Sequence, residues 1–289
     1  MQSRRALCVL TLLVAMSCWA AAPNGLVVLL TDFGADSVYV GALKGAMYTK
    51  FPEARIDAIS NSVPPFDIVA GAYMLAEAAN EFPPGTTFCC VVDPGVGTDR
   101  KQIVLETKTG HCFVGPDNGL LSLVAQRYGL AELREIANRK LFREGETSQT
   151  FHGRDVFGPV AAALARGVAL AEVGPELKDL VRLDVPEARV EDGAIHGTVI
   201  RSDVYGNLVT NVTREDLEAV GVGLNDMAQV TVGAAGFTAP LKSAYGDVPE
   251  GVKLLIVQST GLVECAVNMG SLTEAIKEGP GAAVAIRKQ

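Results

Sequence analysis

The chain has 289 residues, 48% of them hydrophobic and 20% charged, with a formal net charge of −8. This suits a globular chain long enough for two cores. The acid excess, without any lysine/arginine-rich run, argues against nucleic-acid or anionic-membrane partners.

Residues 1–22 stand apart from the rest. Arg4 and Arg5 precede an apolar run over 6–16 and then small residues up to Ala22, the pattern of a secretory signal peptide. The run is too short for a spanning helix, which needs about 20 residues. An exported chain, periplasmic or secreted, is therefore expected. Cys18 leaves lipid anchoring as the lesser alternative, and removal of the segment would take away two arginines and no acid. Of the six cysteines, Cys89, Cys90, Cys112 and Cys265 lie beyond it in apolar surroundings without CxxC spacing. They read as small buried residues, with a bridge from Cys112 to Cys89 or Cys90 as the alternative.

LVVLLTDFG (26–34) is a continuous apolar run ending in a turn, the signature of a strand buried on both faces. Residues 37–50 follow with helical spacing of Val40, Leu43 and Met47. RIDAISNSV reads as a second strand and 67–81 as an alanine-rich helix ended by Pro83-Pro84-Gly85. TTFCCVVD, QIVLETK and HCFVGPDNG read as further strands and 120–128 as a short helix. Such alternation predicts an α/β fold with a Rossmann-like, mostly parallel sheet over residues 25–185. After a polar join, HGTVIRSDVYGNLVTNV, AQVTVG, FTAPLKS, VKLLIVQS, LVECAVN and AAVAIRK are short β-rich runs, predicting a smaller all-β barrel over 193–289.

Four polar stretches punctuate the first region: TDFG (31–34), DPGVG (93–97), GPDNG (115–119) and TFHGRD (150–155). Each alone is ordinary turn chemistry. Four together, at what the pattern makes one sheet edge, point to a ligand site, because ligands of open α/β sheets lie outside the carboxyl ends of the strands. No GxxxxGK[ST] or GxGxxG phosphate loop occurs, and no HxxH or HExxH spacing supports a metal, so neither a cofactor nor a metal is expected. His111 and His196 have no partner at ligand spacing and read as structural. Asp36 is open between a supporting role and a helix cap, Asp67 between a site residue and a helix cap.

TDFG, YVGALKG, PPFDI, VVDPGVGTDRK, FVGPDNGLLSLV, TFHGRDVFGPVAA and DVYGNLVTN, in that order, resemble the S-adenosyl-L-methionine hydrolases (SAM hydroxide adenosyltransferases), relatives of the fluorinase and chlorinase. The resemblance implies a homotrimer with active sites between subunits, and attack of water on ribose C5′ of S-adenosyl-L-methionine to give adenosine and methionine. It implies Asp93, Arg100 and His152 as the catalytic set, with Asp93 orienting or charge-balancing the histidine, Arg100 approaching the same pocket, and the residue that takes the proton left open among the three. Arg154 and Asp155 would pair to support the loop.

For the substrate, the resemblance implies Asp32 on the ribose hydroxyls, and Asp203, Tyr205 and Asn207 around the base and the methionine end. Ser259 and Glu264 would be further polar contacts, with the backbone of Val267 and Met269 at the adenine edge. Thr260 stands where the halogenating relatives usually place arginine, and Asp93 and His152 stand where they carry tyrosines. That difference favours water over halide. A SAM-dependent halogenase and an exported nucleoside-binding protein without turnover are the competing expectations.

Overall fold

The computed structural model describes residues 21–185 and 187–289; the expected signal segment lies almost wholly outside them. The first region is a six-stranded sheet in the order β2-β1-β3-β5-β4-β6. Its strands are β1 (Leu26–Thr31), β2 (Arg55–Ser60), β3 (Thr87–Val91), β4 (Gln102–Thr107), β5 (Cys112–Pro116) and β6 (Leu130–Glu135). β2, β1, β3 and β5 run parallel, while β4 pairs antiparallel with both β5 and β6. The expected parallel sheet thus carries an antiparallel edge.

Strand residues alternate between two cores, as the period of two requires. Val27, Leu29, Cys89 and Val91 face α1 (Val38–Lys50) and α4 (Gly158–Arg166). Val28, Leu30, Phe88 and Cys90 face α2 (Ile68–Ala78) and α3 (Ser122–Tyr128). Helices on both faces explain why β1 and β3 are apolar at every position but the terminal Thr31 and Thr87. Cys89, Cys90, Cys112 and Cys265 are all free thiols, so the alternative bridge is not formed. Burial pushes the Cys112 and Cys265 thiols up to about 12, which removes them as nucleophiles at neutral pH.

The second region begins at β7 (Arg189–Glu191), slightly before the expected start, and continues through β8 (Ala194–Ser202) and β9 (Leu208–Thr213). After the short helix α5 (Arg214–Ala219) come β10 (Met227–Val232), β11 (Ala235–Lys242), β12 (Lys253–Val257) and β13 (Leu262–Val267), then α6 (Leu272–Ile276) and β14 (Ala283–Lys288). Strands pair in the order β14-β10-β11-β12-β13-β9-β8-β7, and β14 also pairs with β8. That contact closes β8 to β14 into a barrel with β7 outside the ring, removing the free edges an open sheet would expose. Ile195, Val199, Leu208, Val230, Leu255 and Ile286 are among the side chains filling it. The two regions meet where Arg201 of β8 bonds Glu77 of α2 at 2.8 Å.

Candidate active site

β1, β3 and β5 are parallel, so their carboxyl ends share one edge of the sheet. Asp93 follows β3 there. The chain then turns through Gly97, at φ +80°, where an added Cβ would lie 2.6 Å from the Gln149 carbonyl oxygen. Only glycine permits both the left-handed backbone and this approach. The turn returns the chain to β4, so that Arg100 reaches back to Asp93, and it lets the 148–152 loop close over it.

Arg100 donates from Nε to both oxygens of Asp93, at 3.0 and 3.1 Å, and its Nη2 also bonds Asp93 Oδ2. The same Nη2 lies 2.8 Å from Nδ1 of His152. Among the described contacts no hydrogen bond joins Asp93 to His152 directly; the guanidinium links them. The Asp93 and Arg100 side chains are 4% and 9% exposed. Arg100 sits 5.3 Å over the Phe157 ring, and its buried Nη1 has no hydrogen-bond partner. Gln102, the first residue of β4, brings Nε2 to 3.3 Å from the same His152 nitrogen.

His152 is placed by an unusual helix start. Residues Gly153–Phe157 form a π-helical turn that runs into α4. Asp155, buried, is anchored by Arg154 at 2.6 and 2.9 Å and by the Ser148 amide at 2.8 Å. The 148–152 segment is thereby pinned from below. The His152 imidazole is held below its ordinary value of 6.5, first by burial and then by the Arg100 charge; Asp93 and Asp155 oppose this less strongly.

Asp93 and His152 form part of the wall of a cavity of about 480 Å³, with Asp32, Phe33, Tyr39, Phe66 and Phe151 among the other lining residues. Arg100 is not in that wall. It lies behind the wall as a strut bonded to two cavity residues, Asp93 and His152. Asp32 accepts the Phe66 amide at 3.0 Å through Oδ2. Phe66 itself is 71% exposed with φ +67°, a left-handed conformation rare for so bulky a residue.

A second cavity, of about 740 Å³, lies on the barrel, lined by Asp203, Tyr205, Asn207, Tyr245, Gln258, Glu264, Val267, Asn268, Met269, Gly270 and Ser271. Asp203 accepts the amides of Tyr205 and Asn207, both at 2.9 Å, which builds the loop between β8 and β9. Tyr205 stands out from it, 74% exposed. Glu264 is fully buried and accepts the Tyr245 hydroxyl at 2.7 Å and a bond from Gln258. Burial raises its carboxyl above the usual range, with the nearby Asp203 charge adding to this. The two cavities share no lining residue.

Residues 27–174 match the SAM hydroxide adenosyltransferase N-terminal domain and residues 197–285 its C-terminal domain. The chain belongs to the SAM hydroxide adenosyltransferase family. It is 38% identical over 263 residues to the (R)-S-adenosyl-L-methionine hydrolase of Salinispora tropica, covering 90% of this chain and 97% of the relative. It is 28% identical over 293 residues to a fluorinase of an Actinoplanes species, covering 92% and 98%. A solved structure of a conserved protein of Thermotoga maritima superposes with a TM-score of 0.87 at 40% identity, covering 91% of this chain and 99% of that one.

Within this family architecture most of the sequence-expected site residues fall in the two cavities, and some do not. Ser259 is exposed and lies outside the barrel cavity. Its neighbour Gln258 occupies the wall instead. Asp117 and Asn118 of GPDNG are structural, binding the Val181 amide and the Val92 carbonyl. Ser37 rather than Asp36 caps α1, and Asp67 caps α2. His111 is a buried bridge from Thr109 to the Phe82 carbonyl, each at 2.9 Å. Tyr245, Gln258 and Asn268 of the barrel and Gln102 beside His152 went unread. An exposed aromatic in a short turn and a strand-initial glutamine carry no sequence signal of their own.

Proposed function

We propose that this chain hydrolyses S-adenosyl-L-methionine by attack of water at ribose C5′, releasing adenosine and methionine. The observation that carries this is the Asp93–Arg100–His152 relay in and behind a cavity wall. Two of its members face the space where a reacting water would sit, and both can hydrogen-bond it. A halide pocket calls for apolar or neutral groups at these positions. The greater identity to the Salinispora hydrolase than to the fluorinase supports the same choice.

The chemistry asks little of acid catalysis. The oxygen–C5′ bond forms as the C5′–sulfur bond breaks, and the sulfonium takes the electron pair and leaves as neutral methionine thioether. One proton is released per turnover. The protein's contribution is to align and partly desolvate the water opposite sulfur. Asp32, with free lone pairs beside its bond to Phe66, accepts from the ribose hydroxyls. Tyr205 stacks on adenine, while Asp203, Asn207, Glu264 and the Val267–Met269 backbone hold the remaining polar edges.

A substrate touching both sets of residues needs both cavities, which share no wall in one chain. Side chains left bare at them, Phe66 at 71%, Met269 at 82% and Tyr205 at 74% exposed, suit a face covered by a second subunit. The assembly is therefore proposed as a cyclic homotrimer in which one subunit's sheet edge meets the next subunit's barrel. Mixing inactive His152→Ala and Tyr205→Ala chains during refolding tests this. Random assembly should restore roughly a quarter of wild-type activity, the share of interfaces joining two intact halves. No restoration would refute the shared site. Export remains part of the proposal, tested by whether the mature protein recovered from cells begins near residue 23.

A further inference from the structure

Nδ1 of His152 is approached by two groups, Arg100 Nη2 at 2.8 Å and Gln102 Nε2 at 3.3 Å. A guanidinium has five donors, no acceptor, and does not lose its proton in proteins. Nδ1 must therefore be the acceptor. The neutral ring then carries its hydrogen on Nε2, the nitrogen for which no protein partner is found among the described contacts. A histidine so arranged offers the cavity a donor, and its other nitrogen has no free lone pair with which to take a proton.

We propose that Gln102 is a positioning residue that, with Arg100, locks His152 as the Nε2–H tautomer, so that the histidine donates to the nucleophilic water and Asp93 is the base. This rests on the hydrolytic reading above. Asp93 Oδ1 accepts one bond from Arg100 and keeps room for another, because each carboxylate oxygen has two acceptor positions. As the oxygen–C5′ bond forms and the C5′–sulfur bond breaks, the water proton passes to Asp93 Oδ1 and then to solvent. His152 Nε2–H holds the attacking oxygen throughout.

Gln102 does what Arg100 alone does not. It supplies a second donor against Nδ1 from a different element, the start of β4, fixing the ring plane and opposing protonation at that nitrogen. The charged groups around the ring are Arg100 from the β3–β4 loop, Asp93 at the end of β3, and Asp155 with its partner Arg154 in the π-helical turn. Asp155 is already engaged by Arg154, Arg143 and the Ser148 amide. The balance keeps the ring neutral.

The test has two arms. In the first, long-range nitrogen-15 NMR of the unliganded full protein reads the tautomer without any turnover, the His152 signals being assigned with a His152→Asn variant. Expected is a pyridine-type Nδ1 and a pyrrole-type Nε2 at neutral pH; a protonated Nδ1 overturns the proposal. This arm stands even should S-adenosylmethionine prove not to be the substrate.

In the second arm, Gln102→Glu places an anionic acceptor against Nδ1. An opposite charge this close raises the histidine pKa by about 1–2 units. Protonation at Nδ1 removes the lone pair that accepts from Arg100 and frees the ring. The acid limb of the kcat profile should therefore move up with that pKa, leaving about a tenth of the variant's own plateau kcat one unit below the new limb, with KM unchanged. Gln102→Met, isosteric but without the donor, should move the limb upward by less. Equal effects of the two variants, or an unmoved limb in Gln102→Glu, would reduce Gln102 to a packing residue.

Discussion

The Asp93–Arg100 pair lends itself to a double-variant cycle. Both side chains are almost wholly buried, at 4% and 9% exposure, and the guanidinium meets both carboxylate oxygens. Removing one partner of such a pair leaves an uncompensated charge out of water, a loss of about 3–5 kcal/mol. Asp93→Asn keeps the shape and strands the Arg100 charge, which already has one unpartnered nitrogen. Arg100→Met strands the carboxylate instead. Each single variant should lose about 3 kcal/mol, measured as hydrogen-exchange protection of β3 amides across a urea series, so that the barrel's own unfolding does not enter. The double variant leaves neither charge of this pair. It should fall at least about 2 kcal/mol short of the summed losses. Its adenosine formation, followed by chromatography, should stay as low as in the singles, because nothing then ties the end of β3 to His152. Additive losses would show that the two side chains do not depend on each other, and the relay would fail as a physical description of the site.

Three further outcomes follow from the geometry. Gly97→Ala forces a Cβ to 2.6 Å from the Gln149 carbonyl oxygen, whereas Gly145→Ala, also at positive φ, meets nothing within 4 Å. Both carry backbone strain of about 1 kcal/mol, but only the first should displace His152 and lower kcat; equal activities would contradict the closure of the loop on the glycine turn. Asp32→Ala removes a charged acceptor worth about 1.5–3 kcal/mol. It should raise KM about tenfold or more for the normal substrate and much less for a 2′,3′-dideoxyribose analogue; an equal penalty on both would remove Asp32 from the ribose. Glu264 has its carboxyl raised above 4.5 by burial. The unfolded chain therefore ionises first, and stability present below that value is lost as pH rises through the folded pKa. Glu264→Gln has no such proton to lose, so its Tm relative to wild type should improve between pH 4 and pH 8; a constant difference would refute the sign.

Much of this was legible in the residues because burial on two faces writes itself plainly. β1 and β3 are apolar apart from the terminal Thr31 and Thr87 since helices cover both sides, and the chemistry begins just past the apolar run, at Asp32 and Asp93. β6, an edge strand with Glu132, Arg134 and Glu135 among its six residues, carries little of that signal. The barrel side of the site was harder to read. There the side chains alternate with a period of two, and a one-residue shift moves the cavity contact from Ser259 to Gln258. Arg100 shows the other limit. Its motif placed it near the site, but whether it faces the ligand or braces those that do depends on how a glycine turn folds back, which spacing alone does not determine. Gln102 was invisible for a related reason, since its relevance comes entirely from a histidine fifty residues away in sequence.

The central claim is that water, held between Asp93 and His152, attacks C5′. Incubating the mature protein with S-adenosyl-L-methionine in oxygen-18 water, followed by mass spectrometry of both products, tests it most directly. The account predicts one heavy oxygen in the 5′ hydroxyl of adenosine and none gained by methionine. Unlabelled adenosine, or a 5′-halogenated nucleoside as the main product in the presence of chloride, would contradict it.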